Sequence, residues 1–354
     1  MGTGSVRISS DYSLMMNAAR RKKRTVIIVL SAAVLLLALT GLFTGSSHMS
    51  LQDAFSALLN RSTPANNRII WSIRIPRVLA AMIAGAGLSV SGLIMQTVLG
   101  NPMASPSTLG ITNASVFGAN LSIIISSGGF MAINPFSASL SALIFAVISV
   151  FIVLGLSRIK SFSPGVVVLC GITLGAVWTA ATTILQFYAT DAGLSSAVIW
   201  SFGDLGRATY TTDLFMLAAV CGCSIVFMAF SWKLNACLSG DSAAAATGVN
   251  VPLLRFISLL LSSLITAVCV SFLGIIGFVG IICPHITKKL LGQDHRYTIP
   301  VSLLTGAALL TAADVFSRII GNGSAVPVGA ITSLLGAPFF LIIIISGRSG
   351  KCLK

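Results

Sequence analysis

Glutamate does not occur in this 354-residue chain, and its eight acids are all aspartates. Charged residues of both signs make up only 8%, against about a quarter in a soluble domain. That shortage excludes a soluble globular fold. Hydrophobic residues supply 55% and the mean hydropathy is +0.98, so the chain reads as a membrane protein. Its net charge of +14 raises nucleic acid as a partner. In so apolar a chain, however, an excess of Lys and Arg is what cytoplasmic loops carry, and no nucleic acid is expected.

Other shortages exclude chemistry. The three histidines, His48, His285 and His295, fall at an expected outer loop, an inner helix end and an inner loop, and cannot converge. The seven cysteines are Cys170, Cys221, Cys223, Cys237, Cys269, Cys283 and Cys352. Cys221 and Cys223 stand two apart on a helix and point in different directions, and most of the others sit in apolar runs as small hydrophobes. No disulfide, metal or cofactor is expected. With no paired acids and no Ser/His constellation, an intramembrane enzyme is disfavoured. Proton relays need buried acids or histidines, but of the aspartates only Asp314 falls clearly within a span, four residues before Arg318 and able to pair with it. No G-x-x-x-x-G-K-[ST] loop occurs, since Gly347-Arg348-Ser349-Gly350-Lys351 is only a basic tail. ATP, if used, must be hydrolysed on a separate subunit.

What is present is a series of long apolar segments, at about 25–44, 75–98, 108–127, 137–156, 165–188, 210–231, 254–273, 275–291, 299–319 and 327–346. The first is about long enough to span a bilayer, which takes roughly 20 helical residues. It is too long for the apolar region of a cleaved signal peptide, and reads as a retained helix. An all-α polytopic fold of about ten transmembrane helices follows, with both termini on one side. Six basic residues, Arg7, Arg20, Arg21, Lys22, Lys23 and Arg24, precede the first span. With that end cytoplasmic, 16 of the 22 Lys and Arg lie inside and 6 outside, which fits the orientation. Residues 1–24 form a basic cytoplasmic tail, 25–346 the membrane domain and 347–354 a second tail. A polar inner stretch at about 234–252 breaks the pattern. Asp241 can cap a short alanine-rich helix there, Gly248 can end it, and the compact protrusion reads as a docking element. Between the first two spans, Ser50 and Asp53 read as a cap for a surface helix with Leu51, Phe55, Leu58 and Leu59 on one face. Gly171-x-x-x-Gly175 and Gly274-x-x-Gly277-x-x-Gly280 let helices approach closely.

Arg74-Ile75-Pro76-Arg77 opens a small-residue helix with Gly92-x-x-x-Gln96, followed by Asn101-Pro102-Met103-Ala104-x-Pro106 and Leu109-Gly110. Further along come Gly240-Asp241 with Gly248-Val249, Gly277-Phe278-Val279-Gly280-x-x-x-Pro284-His285, Asp294-His295-Arg296, and Pro327-Val328-Gly329 through Leu335-Gly336-Ala337-Pro338-Phe339-Phe340. In number, order and spacing these resemble the FecCD family, permease subunits of ATP-driven importers for ferric siderophores, haem and vitamin B12, over residues 25–346. The resemblance implies a type II ABC importer permease, dimeric with a second copy or a paralogue, in a bacterial or archaeal cytoplasmic membrane. It also implies two cytoplasmic ATPases and an extracytoplasmic binding protein. By motif, Arg74, Arg77 and Arg318 match arginines that dock the binding protein, and exposed guanidiniums suit carboxylate contact. Gly240, Asp241, Ala244, Gly248 and Val249 match the element that couples to the ATPase, with Ser242 where an acid is common and Thr247 where leucine is common. Gln96, Asn101, Pro102 and Pro106 match the translocation pathway. The implied cargo is a chelated-metal nutrient, foremost a ferric siderophore, with haem or cobalamin as neighbouring classes. An ion-coupled secondary transporter is the reading from another class.

Overall fold

The computed structural model describes residues 3–45, 49–127, 135–321 and 326–349. His48, Lys351, Cys352 and Lys354 lie outside them, as do the side chains of Arg7, Arg20 and Arg348. The chain is a helical bundle: α1 (Thr3–Phe43), α2 (Leu51–Leu58), α3 (Pro64–Arg68), α4 (Ile75–Val98), α5 (Ile111–Ser127), α6 (Pro135–Arg158), α7 (Pro164–Phe187), α8 (Asp191–Ser201), α9 (Tyr210–Ala229), α10 (Ser231–Cys237), α11 (Asp241–Ala246), α12 (Val251–Leu273), α13 (Val279–Leu291), α14 (His295–Ile320) and α15 (Val328–Ser349). Among the described residues the only bridge between extended segments joins Phe202 and Ile275.

All ten expected apolar segments fall on helices, but not all are full spans. Among the described residues, seven helices are long and apolar enough to cross a membrane and α5 is a shorter apolar helix, while α15 runs for 22 residues, Val328–Ser349. α13 has only 13 residues, about 20 Å at 1.5 Å per residue. The apolar pattern placed its start at about 275, but Gly274 (φ +80°) ends α12 and Phe278 (φ +64°) stands left-handed before α13. The glycines are thus no single helical stripe, since only Gly280 is helical. The intervening stretch is tied into the bundle, as irregular chain at membrane depth requires: Gly274 N donates to Val270 O and Val279 N to Gly277 O, both at 2.8 Å, and neighbouring segments bond beside it. Asp204 N donates to Leu273 O at 2.9 Å and Val328 N to Gly203 O at 2.8 Å. α8, capped by Thr190, is a helix that the apolar pattern did not indicate.

α4 is the central helix. Burial covers 78% of its most apolar window, against 22% for α7. It packs on α9, α12, α13 and α14. Small residues make the contact close: a Cβ on Gly92 would collide with the Gly280 carbonyl, and Ser89 Oγ lies 2.7 Å from both Ser302 O and Ser302 Oγ. The helix does not start at Ile75. Residues 64–98 run continuously, with a π-helical segment at Ile69–Arg74. Pro76, five residues after Trp71, has no N–H to return to the Trp71 carbonyl, and Tyr210 Oη donates to that carbonyl instead.

α2 forms with the expected cap, Asp53 N donating to Ser50 Oγ at 3.1 Å. Its buried face is only partly the expected one: Leu58 packs there, and the side chain of Leu51 lies outside the described residues. Ala54 and Ala57 are buried against Ile70, whereas Phe55 is 57% and Leu59 52% exposed. The smaller side chains seat the helix and the aromatic side looks outward.

Candidate functional site: an arginine cluster, a polar groove and a protruding helix

At the end of the bundle where α1 stops and α4 begins, the structure brings Arg74, Arg77 and Arg318 together. Asp314, fully buried on α14, is the hub. Arg77 Nε lies 2.8 Å from its Oδ1 and Arg318 Nη2 2.6 Å from its Oδ2. Arg77 Nη1 is also 3.9 Å from Asp204. The last carbonyls of a helix have no intrahelical partner, and those of α1 are taken by the same arginines: Arg74 Nη1 donates to Leu42 O (2.8 Å), and Arg318 Nη1 to Gly41 O (2.7 Å) and Thr44 O (2.8 Å). The expected pairing of Asp314 with Arg318 is present. The expected exposure is not, because all three guanidiniums are buried in the packing of α1, α4 and α14. The cluster still holds three guanidiniums against two carboxylates. Asp213, in the first turn of α9, is a second buried acid, which the spacing argument overlooked.

The other end carries the turn between α4 and α5. Gly100 (φ +56°) leaves α4, Asn101 Oδ1 accepts from Met103 N at 2.9 Å, and Pro106–Leu109 forms a 3-10 turn. Gly110 (φ +71°) then brings the chain onto Gly171 and Gly175 of α7, so closely that a Cβ at Gly171 would strike Thr108 O. The result is an open groove of about 430 Å³. Ser107, Thr108, Asn113, Thr179 and Thr183 line it with the glycines. Asn113 Nδ2 donates to Gly175 O (3.1 Å) and Thr179 Oγ1 (2.8 Å). None of the four expected pathway residues lines this groove. Gln96 is buried between α4 and α13, accepting from Lys288 Nζ at 2.9 Å. Asn101 and Pro102 shape the turn, and Pro106 is buried beneath it. Small hydroxyl and amide side chains on α5 and α7 were the groove's sequence signal, diluted among many similar residues elsewhere.

At the same end, α10 and α11 protrude. Gly240 (φ +98°), not Asp241, occupies the cap position of α11. Gly248 (φ +84°) ends the helix left-handed as expected, with Gly248 N bonded to Ala245 O (2.9 Å) and Val249 N to Ala244 O (3.2 Å), the paired closure of a Schellman motif. Ala244 and Val249 face inward with Val251 and Leu254 against Phe230, Ala236 and Cys237. Those two residues therefore hold the element, and its outer face is Ser242, Ala243, Ala245, Ala246 and Thr247. α10 is pinned to α14 through Asn235, which accepts from His295 N (2.8 Å) and His295 Nδ1 (2.7 Å) and donates to Asp294 Oδ1 (2.9 Å). His295, expected in a loop, is the buried first residue of α14.

The Asp241 carboxylate reaches a residue that the sequence offered only as an inner positive charge. Arg255, 5% exposed on α12, donates from Nη2 to both Asp241 oxygens (2.9 and 3.0 Å), from Nε to Val98 O (2.6 Å) and from Nη1 to Phe162 O (3.1 Å). Nothing local marks it, because its partners come from three separate segments.

A model of the FecCD transport family matches residues 32–346. The chain is 40% identical over 87% of its length to a protein of Methanocaldococcus jannaschii assigned to the ABC transporter permeases, covering 90% of that relative. It is 35% identical to the hemin transport system permease HmuU of Yersinia pestis (89% of this chain, 95% of that one). It is 36% identical to the Fe(3+)-citrate import system permease YfmE of Bacillus subtilis (78% and 81%). A metal-chelate-type ABC transporter solved in an inward-facing conformation superposes with a TM-score of 0.78 at 28% identity, over 91% of this chain and 99% of that one. Matched by the family model over most of its length and built as a multi-pass helical bundle, this chain belongs to the FecCD transport family, as the permease of an ABC importer.

Proposed function

We propose that the chain forms the translocation pathway for a chelated-metal nutrient, foremost a ferric siderophore, with ATP hydrolysed on two separate cytoplasmic subunits. The observation that carries this reading is the family match over 32–346, which spans both the bundle with its groove and the protruding α10–α11 element. A groove lined by small neutral groups suits passage of a bulky chelate without tight retention. In a dimer of two permeases, the groove on the weakly buried α7 faces the shared pathway. The outer arginine cluster receives acidic residues of a binding protein, supported by its excess of positive charge, three guanidiniums against two carboxylates. The outer face of α11 seats in the ATPase.

Iron is favoured because relatives named for Fe(3+)-citrate and hemin lie among the more similar ones. Relatives named for molybdate and cobalamin, at 30% and 34% identity, set the other arms of the test. In cells lacking the chain, uptake of labelled ferric siderophore, hemin, cobalamin and molybdate is measured separately, with and without a protonophore. Loss of siderophore uptake, restored by the intact gene, is the expected result. Loss of another cargo alone reassigns the substrate. Uptake that collapses with the protonophore but survives ATP depletion overturns the ATP-driven reading.

A further inference from the structure

Taking α11 as the ATPase-docking element, we propose that Arg255 is the positioning residue that transmits its movement to the inner turn of the pathway. One guanidinium ties three separate segments together. Its Nη2 holds Asp241 at the start of α11, its Nε holds the carbonyl of Val98, the last residue of α4, and its Nη1 holds Phe162 in the α6–α7 connection. Val98 leads directly into the turn that carries Ser107 and Thr108 over the groove, and Phe162, with φ +57°, precedes the α7 wall of the same groove. The planar five-donor fork of arginine makes these bonds simultaneously, which a lysine cannot. Asp241 keeps its carboxylate half in solvent, with 56% of the side chain exposed, so it is the member of the set that moves with α11 when a partner docks, its bond to Arg255 intact. A shift of α11 thus pulls on both walls of the groove through one rigid group, while the rest of α11 rests on apolar contacts.

The test uses the complete complex of permease, ATPases and binding protein in lipid vesicles. Arg255→Gln and Arg255→Lys are expected to assemble with the ATPase and hydrolyse ATP at near-parent rates. Substrate moved per ATP should fall roughly tenfold, within the usual 5- to 150-fold range of coupling between sites. Asp241→Asn combined with Arg255→Gln should lose no more than the worse single change, because both cut one link. A second readout needs no substrate: the distance between spin labels at Ser107→Cys and Ala245→Cys, with and without trapped nucleotide. It should hold constant in the parent and change with nucleotide in Arg255→Gln. Unchanged transport per ATP, additive losses, or label distances that respond alike in parent and variant would overturn the proposal. A parent complex that shows no association with an ATPase would instead overturn the docking reading on which it rests.

Discussion

Asp314 shows how one residue can set one end of the bundle. A buried carboxylate between two guanidiniums is expensive to strip of a partner, because the remaining charges stay desolvated. Asp314→Ala is therefore expected to lower stability by about 3–5 kcal/mol, read as a fall in melting temperature in detergent, with Asp314→Asn milder because it keeps an acceptor. The other sensitive points at this scale are close backbone approaches. Gly92→Ala forces a Cβ into the Gly280 carbonyl and should lower the folded yield sharply, whereas Gly222→Ala, with open space around it, should be neutral; fluorescence-detected size exclusion separates the two. Acid sensitivity is local as well. Burial pushes the Asp294 carboxyl up, but hydrogen bonds from Asn235 and the Arg296 amide, with the charges of Lys23 and Arg296, outweigh it and hold the group below its usual value. A depressed carboxyl contributes stability above its unfolded value and loses it as pH falls through the folded one. The melting temperature of the parent should thus drop on acidification below the usual carboxylate range, and Asp294→Asn should flatten that drop.

Helices as units carry the next set of consequences. α11 is only six residues long and depends on its ends. Gly248 sits at φ +84°, where a Cβ costs roughly 1–2 kcal/mol. Gly248→Ala should loosen the closure of α11 and weaken copurification of the ATPase while leaving membrane insertion intact. α2 behaves in the opposite way. Its seat is Ala54 and Ala57, so Phe55→Ser should leave the melting temperature unchanged, and Ala57→Leu should lower it by overpacking. How much of this was legible follows from the same residues. The cap at Ser50, the glycine stop at Gly248 and the positions of the ten apolar helices were readable because each depends on neighbours within a few residues. The outward side of α2 at Phe55 and Leu59 and the cap role of Gly240 were not. Which of two apolar faces is buried depends on what the rest of the chain presents, and the Asp241 carboxylate had a stronger partner in Arg255 than the helix end.

For the whole molecule, the charge distribution and the packing pull apart. The arginines that the sequence suggested as exposed docking groups are structural bolts as well, so reversing their charge would test folding and docking together. Arg74→Gln and Arg318→Gln keep a donor for the α1 carbonyls and remove the charge. In variants that still elute as folded protein, binding-protein association should weaken roughly tenfold at low salt and lose much of its salt dependence. Affinity that is unchanged at every salt concentration would leave the cluster with a structural role only.

Composition and hydropathy alone settled that this chain is a helical membrane protein. The Lys and Arg bias gave an expected orientation, because the bilayer penalises charge and open backbone wherever they occur, and Gly248 showed where the short α11 stops. The tertiary structure decided which polar groups meet. Arg77 finds Asp314 across 237 residues of sequence and Arg255 finds Val98 across 157. No local pattern encodes such pairs, because buried charges are matched only once helices distant in sequence have packed side by side.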